Sequence, residues 1–134
     1  MSSILSIEGI GGKYAATLRA AGIRTTEALL KAGFSRKGRV ELAAKTGFST
    51  HTILEWVNRA DMFRISGLGS QYSDLLESAG VDTVRELAGR NAEALIAALT
   101  KVNEKKNKVN RLPTLKQVKK WIQHAKSLPK SVQY

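Results

Sequence analysis

A short glycine-containing segment occurs twice in this chain, with the two copies 58 residues apart. The first copy is Ile7-Glu8-Gly9-Ile10-Gly11-Gly12-Lys13-Tyr14, and the second is Ile65-Ser66-Gly67-Leu68-Gly69-Ser70-Gln71-Tyr72. Further pairs follow along the chain: Leu18 with Leu76, Gly22 with Gly80 and, at a longer offset, Trp56 with Trp121. Self-similarity on this scale indicates duplication of a supersecondary unit. We therefore expect two repeats that form a pseudo-symmetric pair.

The segments after each glycine cluster have helical rather than strand periodicity. Tyr14, Leu18 and Ala21 fall on one face of a helix over about 12–21, and Gly22 can end it in the left-handed conformation. Polar residues suited to helix N-caps precede the other apolar stretches: Ser35, Ser49, Thr83, Asn91 and Thr114. The pattern predicts an all-α fold of roughly eight to ten short helices. The paired tryptophans and tyrosines could serve as stacking platforms for single strands, but their matched positions on apolar helix faces favour packing in the core.

The length of 134 residues suits one domain with a proper core. We predict that residues 1–134 form a single domain made of two repeats. The first repeat covers about 1–61 and the second about 62–128, and residues 129–134 form a tail.

Composition excludes several classes of function. The chain has no cysteine, so disulfides and thiolate metal sites are excluded. His51 and His124 are isolated from each other in sequence, so a zinc site is not expected, and no catalytic motif is present. No apolar run approaches the roughly 20 residues of a membrane helix. We expect a cytoplasmic protein that is not an enzyme, with no catalytic residues, metal, cofactor or membrane partner.

The net charge of +11 is unevenly distributed along the chain. Residues 101–130 hold ten Lys or Arg and one acidic residue, whereas residues 67–100 hold two basic and five acidic residues. Clustered cations suit a polyanion, although a well-solvated surface has the same composition. Two basic clusters are candidates for contact with nucleic acid: Arg36, Lys37 and Arg39, and Lys116, Lys119 and Lys120.

The glycine segments are the other candidate contact. A Gly-apolar-Gly turn that opens directly into a helix leaves backbone N–H groups available at the positive end of the helix dipole, where anions bind. The alternative is that these glycines only permit a tight turn and close packing.

These residues resemble the helix-hairpin-helix class. The class pattern is present as Gly9-Ile10-Gly11 with Ala15, Leu18 and Gly22, and as Gly67-Leu68-Gly69 with Ser73, Leu76 and Gly80. The whole chain also resembles a small bacterial family of unknown function that contains two such motifs. That resemblance is carried by Lys37-Gly38-Arg39, Trp56-Val57-Asn58-Arg59-Ala60-Asp61, Gly80-Val81-Asp82-Thr83-Val84 and Trp121-Ile122.

The class resemblance implies that amides of the glycine turns hold phosphates of duplex DNA without reading its sequence. The implied contacts are Gly9, Gly11, Gly12 and Lys13 in the first copy, and Gly67, Gly69, Ser70 and Gln71 in the second. Gln71 stands where the class often has a basic residue, and acidic residues follow it, so we expect the first copy to be the better contact. Binding of structured RNA and a protein–protein adaptor or dimerisation role on the same scaffold remain alternatives.

Overall fold

The computed structural model describes residues 2–134, and this part of the chain is helical. A short 3-10 helix at Ile4–Ser6 precedes the α-helices. The α-helices are α1 Gly12–Ala20, α2 Thr26–Gly33, α3 Arg36–Thr46, α4 Thr50–Met62, α5 Gly69–Ser78, α6 Val84–Ala88, α7 Ala92–Lys106 and α8 Leu115–Ser127. The extended pairing recorded among the described residues is a single isolated bridge between Ser3 and Thr25. The all-α prediction is confirmed.

Side-chain caps begin most of these helices: the five predicted caps are confirmed, and Thr25 is a sixth that was not predicted. In each case the side-chain oxygen accepts a hydrogen bond from the backbone amide three residues later in the chain. The capping residues are Thr25, Ser35, Ser49, Thr83, Asn91 and Thr114. At Thr114, the side chain of Gln117 also accepts a hydrogen bond from the Thr114 amide, which completes a capping box. At Thr83 the reciprocal bond differs, because the Glu86 carboxylate accepts from the Thr83 hydroxyl.

The chain divides into two compact units. The first unit contains the residues up to Asp61 together with Lys130–Tyr134. Its core includes the fully buried side chains of Ile4, Ile7, Leu18, Leu29 and Ile53. Within this unit α2 packs against α3.

The last five residues are an integral part of the first unit. The Gln133 amide donates to the Phe34 carbonyl at 2.7 Å, and the Tyr134 hydroxyl donates to Asn58 Oδ1 at 2.8 Å. Val132 is buried. A segment that the sequence presents as a tail therefore has both backbone and side-chain partners in this unit.

The second unit is Met62–Pro129. Its core includes Leu75, Leu76, Leu87, Leu95 and Trp121. Helices α6 and α7 both pack against α8, and α5 packs against α7. The basic helix α8 therefore buries one face, and its lysines lie on the other.

Candidate nucleic-acid interface

The first glycine turn, residues 9–13, presents its backbone to solvent. Gly9 has a φ of +94°, in the left-handed region, and the Ile10 amide donates to the Ile7 carbonyl at 3.1 Å. Ile10 is buried and anchors the turn, whereas Gly11 and Gly12 are exposed. A Cβ added at either of these two glycines would meet nothing within 4 Å. The space next to this backbone is therefore open to a ligand.

The amides at the start of α1 lie outside the helical hydrogen-bond ladder. The ladder begins with the Ala15 amide, which donates to the Gly11 carbonyl at 2.9 Å. The amides of Gly12, Lys13 and Tyr14 come before it and have no intrahelical acceptor. Gly11 is the N-cap residue and provides no side-chain acceptor. Lys13 is exposed at the same turn. The start of α1 therefore combines free amide donors, the positive end of the helix dipole and a cation.

The absence of a side-chain cap separates the two glycine turns from the other helix starts in residues 2–134. Each of the other α-helices has a Thr, Ser or Asn that accepts an amide of its first turn. Only α1 and α5 begin without such an acceptor. The positions that the sequence assigns to phosphate binding are thus those whose amides the protein does not cap with its own side chains.

The second glycine turn, residues 67–71, has a different backbone from the first. Gly67 and Gly69 have φ values of +78° and +68°, whereas Gly11, the counterpart of Gly69, has a φ of −83°. Leu68, which precedes α5, has right-handed helical angles rather than the extended angles of Gly11. Gly67, Gly69 and Gln71 are exposed and Ser70 is half-buried.

An ion pair lies close behind this second turn. The Lys108 ammonium is 3.0 Å from Asp74 Oδ2, on α5. This pairing offsets part of the acidic charge that the sequence places after the turn. Gln71 carries no charge, so the second turn lacks the exposed cation that Lys13 provides at the first.

Arg39 differs from the sequence-based expectation because it points into the first unit. Arg39 is only 4% exposed. Its Nη1 donates to the carbonyls of Gly33 and Phe34 at 2.9 and 3.1 Å, and its Nη2 donates to the Gln133 carbonyl at 2.6 Å. Burial lowers the pKa of this guanidinium from its ordinary value. Arg39 therefore binds the protein's own backbone and is corrected to a structural residue.

The residues next to Arg39 in the first turn of α3 differ in their surroundings. Arg36 and Lys37 are exposed in the first turn of α3. Gly38 allows a close approach, but by the protein itself, since an added Cβ would overlap the Ala32 carbonyl oxygen. The surface candidates in this region are thus Arg36 and Lys37.

The lysines of α8 form an exposed basic patch. Lys116, Lys119 and Lys120 lie there on the surface of the helix beside Leu115 and Gln123. An adjoining hollow shares Lys119 and Gln123 and adds two cations that the sequence analysis did not select, Arg90 and Lys126. Lys119 also lies 3.7 Å from the Glu93 carboxylate.

An aromatic cluster lies beside the first glycine turn. The Tyr14 ring centroid is 5.4 Å from that of Phe48 and 5.7 Å from that of Trp56. Trp56 and Trp121 are 6% and 3% exposed, so their prediction as core residues is confirmed. Tyr14, expected in the core, is 44% exposed.

Comparison with known proteins places the chain in a family. Residues 8–128 match the model described as Domain of unknown function (DUF4332), and the chain belongs to this family. The expectation of a family of unknown function is thereby confirmed. No curated protein and no solved structure is significantly similar to the chain. Within residues 2–134, none of the helices combines the length and apolar character needed to cross a membrane.

Proposed function

We propose that this member of the DUF4332 family is a cytoplasmic, non-enzymatic module that binds duplex DNA independently of sequence. In this proposal the two glycine turns are helix-hairpin-helix motifs of a pseudo-symmetric tandem pair. The observation that carries the proposal is the open, uncapped start of α1 beside Lys13.

The chemistry of the first glycine turn favours a phosphate over other ligands. Its donors are backbone amides at the positive end of a helix of nine residues, which attract an anion with several acceptor oxygens. Amide-to-phosphate contacts fix the position of a protein on DNA but do not read bases. Binding through this turn is therefore expected to be independent of sequence.

Exposed cations in both units supply the longer-range attraction. Arg36 and Lys37 contribute in the first unit, and the basic patch on α8 contributes Lys116, Lys119 and Lys120 in the second. Cations that neutralise DNA phosphates release condensed counterions, which makes binding strongly dependent on salt. The second glycine turn is expected to add less, since Gln71 carries no charge.

The proposal is tested by the affinity of three variants for a fluorescently labelled duplex, measured by anisotropy. Lys13→Glu should weaken binding about tenfold or more at low salt and reduce the slope of log K against log salt by about one, because one phosphate contact is lost. Gln71→Glu should change the affinity little.

Lys31→Glu is the matched control for charge. Lys31 is exposed in the last turn of α2 and outside the proposed contacts, and its substitution changes the net charge as much as Lys13→Glu does. Equal losses for both variants would show that only net charge matters and would reject the site. A structured RNA that binds better than the duplex, or a protein partner that survives nuclease treatment while the duplex does not bind, would replace DNA as the ligand.

A further inference from the structure

We propose that the first glycine turn prefers a strand with an unpaired base, and that this base stacks on Tyr14. The inference rests on the proposed function and specifies its substrate as DNA with an overhang, gap or single-stranded stretch. It is carried by an exposed aromatic ring in the same helical turn as the uncapped amides.

Tyr14 is held in place but not covered. Phe48 meets its ring nearly edge-on, with an interplanar angle of 87°, and Trp56 packs against it at 46°. Phe48 and the buried Trp56 themselves pack with their centroids 5.1 Å apart. These contacts restrict the rotamers of Tyr14, yet 44% of the residue remains accessible. A base that stacks on a ring already fixed in this way costs little side-chain entropy.

The equivalent tyrosine of the second repeat shows that this exposure is not required for packing. Tyr72 also packs against a tryptophan, with its centroid 5.2 Å from that of Trp121. It is half-buried, however, and its hydroxyl donates to the Arg111 carbonyl at 3.1 Å. The structure records no such bond for the Tyr14 hydroxyl within residues 2–134. Of the two equivalent tyrosines, Tyr14 is therefore the one whose ring is available to a ligand.

The position of Tyr14 couples stacking to phosphate binding. Its own amide is one of the three that precede the α1 ladder, and it directly follows Lys13. A nucleotide whose phosphate meets these amides thus has its base close to the ring. Bases inside a continuous duplex are already stacked on their neighbours, whereas an unpaired base has a free face. Stacking on aromatic side chains is tolerant of sequence, in keeping with backbone binding.

The test compares a blunt duplex, the same duplex with a single-stranded overhang, and single-stranded thymidine and uridine oligonucleotides. The wild-type chain should bind the overhang probe and the thymidine strand more tightly than the blunt duplex. Tyr14→Ala should weaken binding to the probes with unpaired bases by about 5- to 150-fold, the range that stacking of one base supplies. Because the substitution keeps the backbone amide, the loss for the blunt duplex should be smaller, and the affinity ratio between the two kinds of probe should fall.

Two further variants separate stacking from folding. Tyr14→Phe keeps the ring and should keep the preference, whereas Tyr14→Leu keeps apolar contact with Phe48 and Trp56 and should lose it. In a Trp121→Phe background, Trp56 is the remaining tryptophan. Because it lies 5.7 Å from Tyr14, its emission should change with the thymidine oligonucleotide more than with the blunt duplex. The uridine strand differs from the thymidine strand in its 2′-hydroxyl and in the missing C5 methyl group. A Tyr14-dependent preference for the thymidine strand supports the inference, whereas a Tyr14-dependent preference for the uridine strand would overturn DNA as the substrate.

The two proposals fail in different ways. If Lys13→Glu weakens binding to all probes but Tyr14→Ala and Tyr14→Leu leave the ratio between probes unchanged, the stacking inference is overturned and phosphate binding stands. If none of the probes binds the wild-type chain at low salt, both are rejected.

Discussion

Replacing Arg39 with methionine tests whether this residue stabilises the first unit rather than binding an external anion. Its guanidinium joins the C-terminal end of α2 to the last residues of the chain through the carbonyls of Gly33, Phe34 and Gln133. Methionine retains most of the side-chain length but removes every donor. The variant should therefore lose the link while keeping much of the packing.

The expected cost follows from what each carbonyl loses. The bond to Gly33 is buried, so its oxygen is left without this donor, at a cost of about 1–3 kcal/mol. Phe34 keeps the Gln133 amide as a donor, and the exposed Gln133 can bind water. Removing a buried charge also recovers desolvation free energy, which offsets the smaller losses at the Phe34 and Gln133 carbonyls and leaves the cost at Gly33. The net decrease in the free energy of unfolding should be about 1–3 kcal/mol.

Urea unfolding followed by circular dichroism measures this difference. For a slope of about 2 kcal/mol/M, the midpoint should fall by about 0.5–1.5 M. Hydrogen exchange adds local information, because the Gln133 amide donates to Phe34 next to the lost guanidinium. Its exchange should accelerate more than that of the second-unit core.

Arg36→Met is the matched control, since it removes the same charge from an exposed position on α3. It should change the unfolding free energy by no more than about 0.5 kcal/mol but weaken DNA binding, whereas Arg39→Met should leave DNA binding of the folded protein nearly unchanged. An unaltered midpoint for Arg39→Met, or an equal loss for Arg36→Met, would refute a structural role for Arg39.

Two other substitutions test local features of the first unit. Gly38→Ala should lower the unfolding free energy by about 1–3 kcal/mol in urea titrations, because its Cβ would overlap the Ala32 carbonyl, while Gly12→Ala, in open space, should be within about 0.5 kcal/mol of wild type. Backbone hydrogen bonds from its own amide and from that of Ser2 lower the pKa of Glu27 below its ordinary value of 4.5. The ionised Glu27 therefore stabilises the fold at pH values above its ordinary pKa of 4.5. This contribution is lost as the pH falls through the lowered pKa of the folded state. Glu27→Gln should be less stable than wild type at pH 7, with the gap closing in acid; a gap independent of pH would contradict this.

The helices and their caps could be predicted because their determinants are local. Thr114 and Gln117 form the capping box that their spacing indicates. Gly22 and Gly80 have φ values of +88° and +89°, as expected for residues that end helices in the left-handed conformation. The buried tryptophans followed from apolar periodicity in the same way.

The role of Arg39 could not be predicted, because its partner lies 94 residues away in sequence. A basic residue in a basic cluster is ordinarily a surface residue. One signal was present: Arg39 lies three residues before the buried Leu42, on the same face of α3. The docking of the last five residues escaped prediction for the same reason, since it depends on contacts with Arg39, Phe34 and Asn58 rather than on local pattern.

The conformations of the two glycine turns could not be predicted from the sequence. Both turns are evident as repeated glycine patterns, yet nothing in the shared pattern indicates that Gly11 and Gly69 differ in φ. The exposure of Tyr14 was also missed, because its match with Tyr72 suggested equal burial. What distinguishes them is a long-range bond from Tyr72 to Arg111.

The salt dependence of duplex DNA binding tests the central claim most directly. If four to six phosphates are engaged by the first glycine turn and the exposed cations, log K should fall linearly against log salt with a slope of about −4 to −5. Measured from about 50 to 200 mM salt, this line is the predicted result. No detectable binding at the lowest salt, or an affinity that salt does not change, would contradict phosphate binding by this chain.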